Sequence, residues 1–179
     1  MKRNVLSIVV AALTLTLIAG VTTALLAATN LLTKDTIASR NEQIENQTRM
    51  QVLAADKFEA ATVSVDGADV TYYKGSKNGE LIGYVFTVTT TGKSAGLTVM
   101  TGVDTDGKVT GVAVTDDSET AGYVDKVTKA GLLERIAGQT STDGVDTVSQ
   151  ATKTSKGFLR GVDGALKAYQ AIAGGAADE

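Results

Sequence analysis

From Asn4 to Thr33 the chain reads NVLSIVVAALTLTLIAGVTTALLAATNLLT without one charged residue. A helix needs roughly 20 predominantly apolar residues to cross a bilayer, and this run exceeds that length. The segment is therefore expected to span a membrane as one helix, with the remainder of the chain folding beside the bilayer. A secretory signal has a shorter apolar core, of about 7–15 residues, before a small-residue cleavage site. The stretch LAATN imitates such a site, but the length of the run points to an uncleaved anchor. Lys2 and Arg3 precede the run, which predicts a cytoplasmic N-terminus and a domain outside the cell membrane. Ser7, Thr14, Thr16, Thr22 and Thr23 either contact partner helices or bond their own helix backbone. No charge within the run marks an ion path.

Four segments follow from the pattern: residues 1–33 as N-terminus and anchor, 34–58 as a helical stalk, 59–173 as one domain and 174–179 as a flexible tail. The stalk reads KDTIASRNEQIENQTRMQVLAADKF, without Gly or Pro, and with Ile37, Ile44, Met50 and Leu53 at loosely helical spacing. Beyond it, VTYYK (70–74), ELIGYVFTVTT (80–90) and LTVMTGV (97–103) alternate as strands do, and KNG supplies a turn before the second. DTDG (104–107) predicts a tight antiparallel hairpin into KVTGVAV. As a calcium loop it would need several more oxygen ligands and a closing acidic residue. Val124, Val127, Leu132, Leu133 and Ile136 predict a helix over 123–137, slightly broken at Gly131. Phe158, Leu159, Val162, Leu166, Tyr169 and Ile172 predict another over about 155–173. The sum is an α+β domain, helices packed on an antiparallel sheet.

Composition removes whole classes of chemistry. The 179 residues include no His, Cys, Trp or Pro. A Ser/His/Asp triad, an imidazole metal site, a thiolate nucleophile and an iron–sulfur ligand set are all excluded. Redox or group-transfer work would have to use a bound organic cofactor. A formal net charge of -3, with three Phe and five Tyr, gives neither the basic footprint nor the stacking platform that nucleic acid requires.

One polar run remains, DTVSQATKTSKG from Asp146 to Gly157, between two apolar segments. In the plainest reading Ser149, Thr152, Thr154 or Ser155 caps the last helix. A helix N-terminus among small residues also holds phosphate, through free N–H groups and the helix dipole. Periodicity favours the cap and leaves the phosphate site open.

The run Asp146, Thr147, Val148, Ser149, Gln150, Ala151, Thr152 resembles the flavinylation motif of the FMN-binding domain family: Asp, two variable positions, Ser or Thr, usually Gly or Ser, then Ala-Thr. The segment from Gly92 to Val127 is similar to the upstream half of that domain in the G subunits of Rnf ion-translocating electron-transport complexes, relatives of NqrC. There a strand hairpin leads into a Glu-Thr-Pro-Gly loop, matched here by Glu119, Thr120, Ala121 and Gly122. The resemblance implies covalent FMN on Thr152 through a phosphoester made by a flavin transferase. It implies that Ser149 and Ala151 shape the approach, that Asp146 orients the loop or helps place the metal and flavin donor, and that Glu119, Thr120 and Gly122 contact the flavin ring. Lys126 and Lys153 lie near the motif and either screen the phosphate or stand solvated. Two departures stand out. Ala121 replaces the family's Pro, which loosens that loop. Gln150 stands where the family has a small residue and is expected to crowd the phosphate.

The implied function is a membrane-anchored electron-transfer subunit of an ion-translocating ferredoxin:NAD oxidoreductase. Its implied partners are the A, D and E membrane subunits, the B and C peripheral subunits, the transferase and the lipid bilayer, with no nucleic acid. A flavin exchanges electrons without a protein acid, base or metal, which suits a chain without His or Cys. This electron carrier is not expected to be catalytic alone. A stand-alone extracytoplasmic flavoprotein, or an anchored module that binds a sugar or a partner, are the other readings.

Overall fold

The computed structural model describes residues 2–175 of the chain, so the tail expected from Gly174 lies mostly outside the described residues. The first helix, α1, spans Lys2–Val52, and the chain divides into two compact units, Met1–Ile44 and Glu45–Glu179.

In the first unit, Ser7–Lys34 is a helix long and apolar enough to cross a membrane, with mean hydropathy 2.3. Its threonine hydroxyls turn back on their own helix: Thr14 donates to the Val10 carbonyl at 2.8 Å, Thr16 to Ala12 at 2.9 Å and Thr22 to Ile18 at 2.6 Å. A hydroxyl satisfied this way removes a polar group from an apolar surface.

The second unit is built on a five-stranded antiparallel meander. Its strands are β1 (Lys57–Val65), β2 (Ala68–Lys77), β3 (Glu80–Thr91), β4 (Ala95–Asp104) and β5 (Val109–Asp117), paired in that order. The turn chemistry sets the connections. Asp66 and Gly67 (φ 51° and 79°), and Asn78 and Gly79 (φ 53° and 84°), supply the paired positive φ of two-residue hairpins. After β4, Asp104 Oδ1 accepts from the N–H groups of Asp106 and Lys108, each at 2.9 Å, closing the expected hairpin.

Side chains alternate between the two faces of this sheet. Tyr72, Phe86, Val99 and Val103 point to one side, beneath α4 (Thr152–Ala173), α2 (Tyr123–Lys129) and α3 (Leu132–Ile136). Val85 and Met100 point to the other, where Val52, Leu53 and Ala55 cover them. Cross-strand glycine pairs receive those residues. Gly75 lies opposite Gly83 and Gly102 opposite Gly111. A Cβ on Gly102 or Gly75 would collide with the Val52 backbone or the Leu53 side chain, respectively. Arg49 is buried beside them, 3.7 Å from the centre of the Tyr73 ring and bonded to Glu45 at 2.6 Å.

The sequence pattern differs from this fold at three places. The stalk helix expected to reach Phe58 ends at Val52, and Lys57–Val65 is a strand. No breaker marks the change; burial of Val52, Leu53 and Ala55 on the sheet and pairing with β2 override local propensity. The helix expected over 123–137 is two, because Gly131 takes a left-handed φ of 72° between them. The last helix begins at Thr152, three residues before the expected Ser155, so the hydroxyls fall inside it.

Glycines set how closely α4 approaches the sheet. A Cβ on Gly161 would fall 2.8 Å from Val99 Cβ, and one on Gly157 would fall 2.9 Å from Gly92 Cα. This seats the start of α4 directly on the β3–β4 loop.

Candidate functional site

The first turn of α4 sorts the hydroxyls of the polar run. Thr154 and Ser155 are both fully buried. Ser155 Oγ donates to the Ala151 carbonyl at 3.0 Å and accepts from the Val148 N–H at 3.1 Å, tying the preceding turn to the helix. Thr154 Oγ donates to Glu119 Oε2 at 3.1 Å. Neither caps the helix. The N-cap residue is Ala151, without a side-chain hydrogen bond, which corrects the expectation of a hydroxyl cap. The reason is geometric: with the helix begun at Thr152, both hydroxyls lie past the cap and turn inward. Thr152 differs from its neighbours, being exposed and making no side-chain hydrogen bond among the described residues.

The turn before α4 runs Val148, Ser149, Gln150, Ala151 and is closed by the Ala151 N–H donating to the Val148 carbonyl at 3.1 Å. Gln150 takes φ 65° in it. That is the third position of a turn, where a positive φ favours glycine. What the backbone asks of position 150 is thus a conformation first, and side-chain size second.

Around Thr152 lies a cavity of about 330 Å³ lined by Lys93, Tyr123, Gln150, Ala151, Thr152, Lys153 and Thr154. Three segments distant in sequence meet here: the β3–β4 loop, the start of α2 and the start of α4. Glu119 joins two of them, accepting from the Ser94 N–H at 3.2 Å with Oε1 and from Thr154 with Oε2. Arg160 of α4 adds a hydrogen bond to the Thr91 carbonyl.

The electrostatics of the cavity are cationic. Among its lining residues are two lysines and no carboxylate. Lys93 Nζ sits 4.0 Å from the centre of the Tyr123 ring, and Lys126 Nζ sits 5.1 Å from it. A hydrogen bond with Lys93 and its charge, with a smaller effect of Lys126, hold the Tyr123 phenol below the usual tyrosine range against the opposing effect of burial. The first turn of α4 carries no acidic residue of its own, so its free N–H groups and the positive end of its dipole add to the lysines, offset in part by the Glu119 carboxylate bonded to Thr154. An anionic group is what such a site accommodates.

Of the residues singled out from sequence, Thr152 and Ala151 line the cavity, as do Gln150 and Lys153. Glu119 reaches it through Thr154. Thr120 and Gly122 form the turn before α2, where the Tyr123 N–H donates to the Thr120 carbonyl at 3.1 Å and Gly122 has φ 81°. Ser149 and Asp146 lie exposed in the loop before α4, outside the cavity lining. Lys93 and Tyr123 were not legible from the motif; a cation and an aromatic at either end of the segment similar to the flavoprotein domain were the available signal.

Residues 92–167 match the FMN-binding domain, and residues 1–53 match the RnfG N-terminal region. The G subunit of the Na(+)-translocating ferredoxin:NAD(+) oxidoreductase complex of Acetobacterium woodii is 30% identical over 186 aligned positions, covering 88% of this chain and 89% of that one. The G subunit of the proton-translocating ferredoxin:NAD(+) oxidoreductase complex of Clostridium ljungdahlii is 27% identical over 165 positions, covering 84% and 85%. An apolar N-terminal helix, a five-stranded antiparallel domain, matches along both and a relative aligned over nearly its whole length lead to one conclusion: the chain belongs to the RnfG family, the G subunits of ferredoxin:NAD(+) oxidoreductase complexes, and carries an FMN-binding domain.

Proposed function

We propose that this chain is the membrane-anchored electron-transfer subunit of an Rnf-type ion-translocating ferredoxin:NAD oxidoreductase and carries FMN as a phosphoester on Thr152. The observation that carries the attachment is the inequality of the hydroxyls. Thr154 and Ser155 are buried and bonded, whereas the Thr152 hydroxyl is exposed on the wall of a cationic cavity and engaged by nothing among the described residues. The site suits the group: lysines and helix N–H groups for a phosphate, and the Tyr123 ring for a flat aromatic system.

Attachment requires an activated FMN, an anhydride with a second nucleotide. Thr152 Oγ forms the new P–O bond, the anhydride P–O bond breaks, and the second nucleotide leaves as its monophosphate with the bonding electrons. The hydroxyl proton passes to a base of the transferase. Asp146 and Ser149, exposed before and within the turn, are open to that enzyme. Once bound, the isoalloxazine supplies one- and two-electron chemistry, and the protein's task is to hold it and keep it from side reactions. Glu119 holds the walls together, and Thr120 and Gly122, in the turn that leads into Tyr123, would help to hold the ring.

The anchor keeps the domain at the membrane, where the multisubunit partners of this family operate. Lys2 and Arg3 set the N-terminus in the cytoplasm and the flavin domain outside. The test is the intact mass of the full-length protein coexpressed with its flavin transferase. One FMN-sized increment, absent in Thr152→Ala, is expected; an unmodified wild type overturns the covalent attachment.

A further inference from the structure

Lys93 lies outside the flavinylation motif, 59 positions before Thr152 in sequence, yet lines the same cavity. The residues on either side of it, Gly92 and Ser94, are held by three contacts. The Gly92 N–H donates to the Ser94 carbonyl at 3.0 Å, the Ser94 N–H donates to Glu119 at 3.2 Å, and Gly157 of α4 leaves so little room that a Cβ would fall 2.9 Å from Gly92 Cα. With both neighbours held, the Lys93 side chain lines the cavity beside Thr152. Its ammonium rests against the Tyr123 ring at 4.0 Å and makes no ion pair with a carboxylate among the described residues.

A phosphodiester on Thr152 places one negative charge in this cavity. The helix N-terminus meets that charge from one side, through N–H groups of α4. Of the lysines that line the cavity, Lys153 belongs to the same helical turn as Thr152, whereas Lys93 comes from a separate, clamped loop. We propose that Lys93 is the countercharge for the flavin phosphate, held ready by the Tyr123 ring and aimed by the Glu119–Ser94 hydrogen bond. This rests on the Thr152 phosphoester reading and names a cofactor-binding residue that the motif does not contain. Lysine suits the role as a compact charge with three donors on a flexible stem, able to leave an aromatic face for an anion.

Two measurements on the full-length chain test it. The first is the rate at which purified flavin transferase, with flavin adenine dinucleotide and Mg²⁺, loads wild type, Lys93→Met, Lys93→Arg and Lys153→Met, read as the mass increment against time. Lys93→Met is expected to load about tenfold more slowly, the size of one lost charge-assisted hydrogen bond, with Lys93→Arg recovering most of the rate and Lys153→Met affected less. The second needs no transferase: noncovalent FMN and riboflavin are titrated into Thr152→Ala and into Thr152→Ala/Lys93→Met. The preference for FMN over riboflavin is expected to fall by about tenfold when Lys93 is removed, because only FMN carries the phosphate. A fully loaded wild type beside Lys93→Met loading at the same rate, or an FMN preference unchanged by the second substitution, overturns the assignment alone. A wild type that takes no flavin overturns the phosphoester reading and this assignment with it.

Discussion

Glu119 and Thr154, 35 positions apart, meet at 3.1 Å beneath the cavity, with the other carboxylate oxygen of Glu119 accepting from the Ser94 N–H at 3.2 Å. One side chain thereby joins the β3–β4 loop to the first turn of α4. Glu119→Ala removes both bonds and leaves the buried Thr154 hydroxyl without its acceptor. A loss of about 1–3 kcal/mol is expected, the usual cost of stranding a buried polar group. Urea unfolding of the full-length protein, followed by tyrosine fluorescence, measures it; Glu119→Gln, which keeps an acceptor oxygen, is expected to lose less.

Gln150→Gly is expected to stabilise the fold. A side chain at φ 65° costs roughly 1–2 kcal/mol, partly offset by the chain entropy that glycine loses on folding. The net gain, about 0.5–1 kcal/mol, appears as a higher urea midpoint at unchanged slope. Flavin loading is expected to be at least as fast as in wild type.

Two of the three glycines of α4, Gly157 and Gly164, separate close packing from helix propensity. A Cβ on Gly164 meets the two methyls of Val88 at 3.2 and 3.4 Å, a contact that a shift of a few tenths of an ångström relieves, whereas one on Gly157 meets the Gly92 backbone at 2.9 Å. Alanine in a helix gains about 1 kcal/mol over glycine, while overpacking costs about 1–3 kcal/mol. Gly164→Ala should therefore be close to neutral. Gly157→Ala should destabilise and slow flavin loading, because the loop that carries Lys93 must move. Parallel unfolding and loading curves distinguish the two outcomes.

Those contacts explain what sequence could and could not disclose. Strands β2 to β5 announce themselves through alternation and through Asn78–Gly79 and the Asp104–Gly107 turn, all local signals. Strand β1 had its own marker in Asp66–Gly67, but the unbroken stalk pattern ran across its start, and only pairing with β2 decides Lys57–Val65. Thr152 is legible because seven adjacent residues carry its motif. Lys93 and Tyr123 are not, because the cavity they share with Thr152 exists only after α4 has packed through Gly157 and Glu119 has bridged the loops.

The Tyr123 phenol reports on Lys93 without any flavin. The lysine's hydrogen bond and positive charge stabilise the phenolate, so Tyr123 is expected to ionise at lower pH than an ordinary tyrosine. Lys93→Met removes the largest causes and should move that ionisation upward. Tyr169 serves as the internal contrast: burial, with Tyr84, Asp104 and Asp106 nearby, pushes its phenol up. Spectrophotometric titration of phenolate absorbance, with Tyr123→Phe and Tyr169→Phe as the respective subtractions, follows both; an unshifted Tyr123 in Lys93→Met would contradict the contact.

On the proposed reading one hydroxyl among several carries the flavin, and peptide fragmentation decides which. Full-length protein coexpressed with its flavin transferase is digested, and the fragment spanning residues 146–157 is sequenced by tandem mass spectrometry. An FMN increment confined to Thr152 is expected. An increment on Thr147, Ser149, Thr154 or Ser155, or a fragment of unmodified mass, contradicts the assignment.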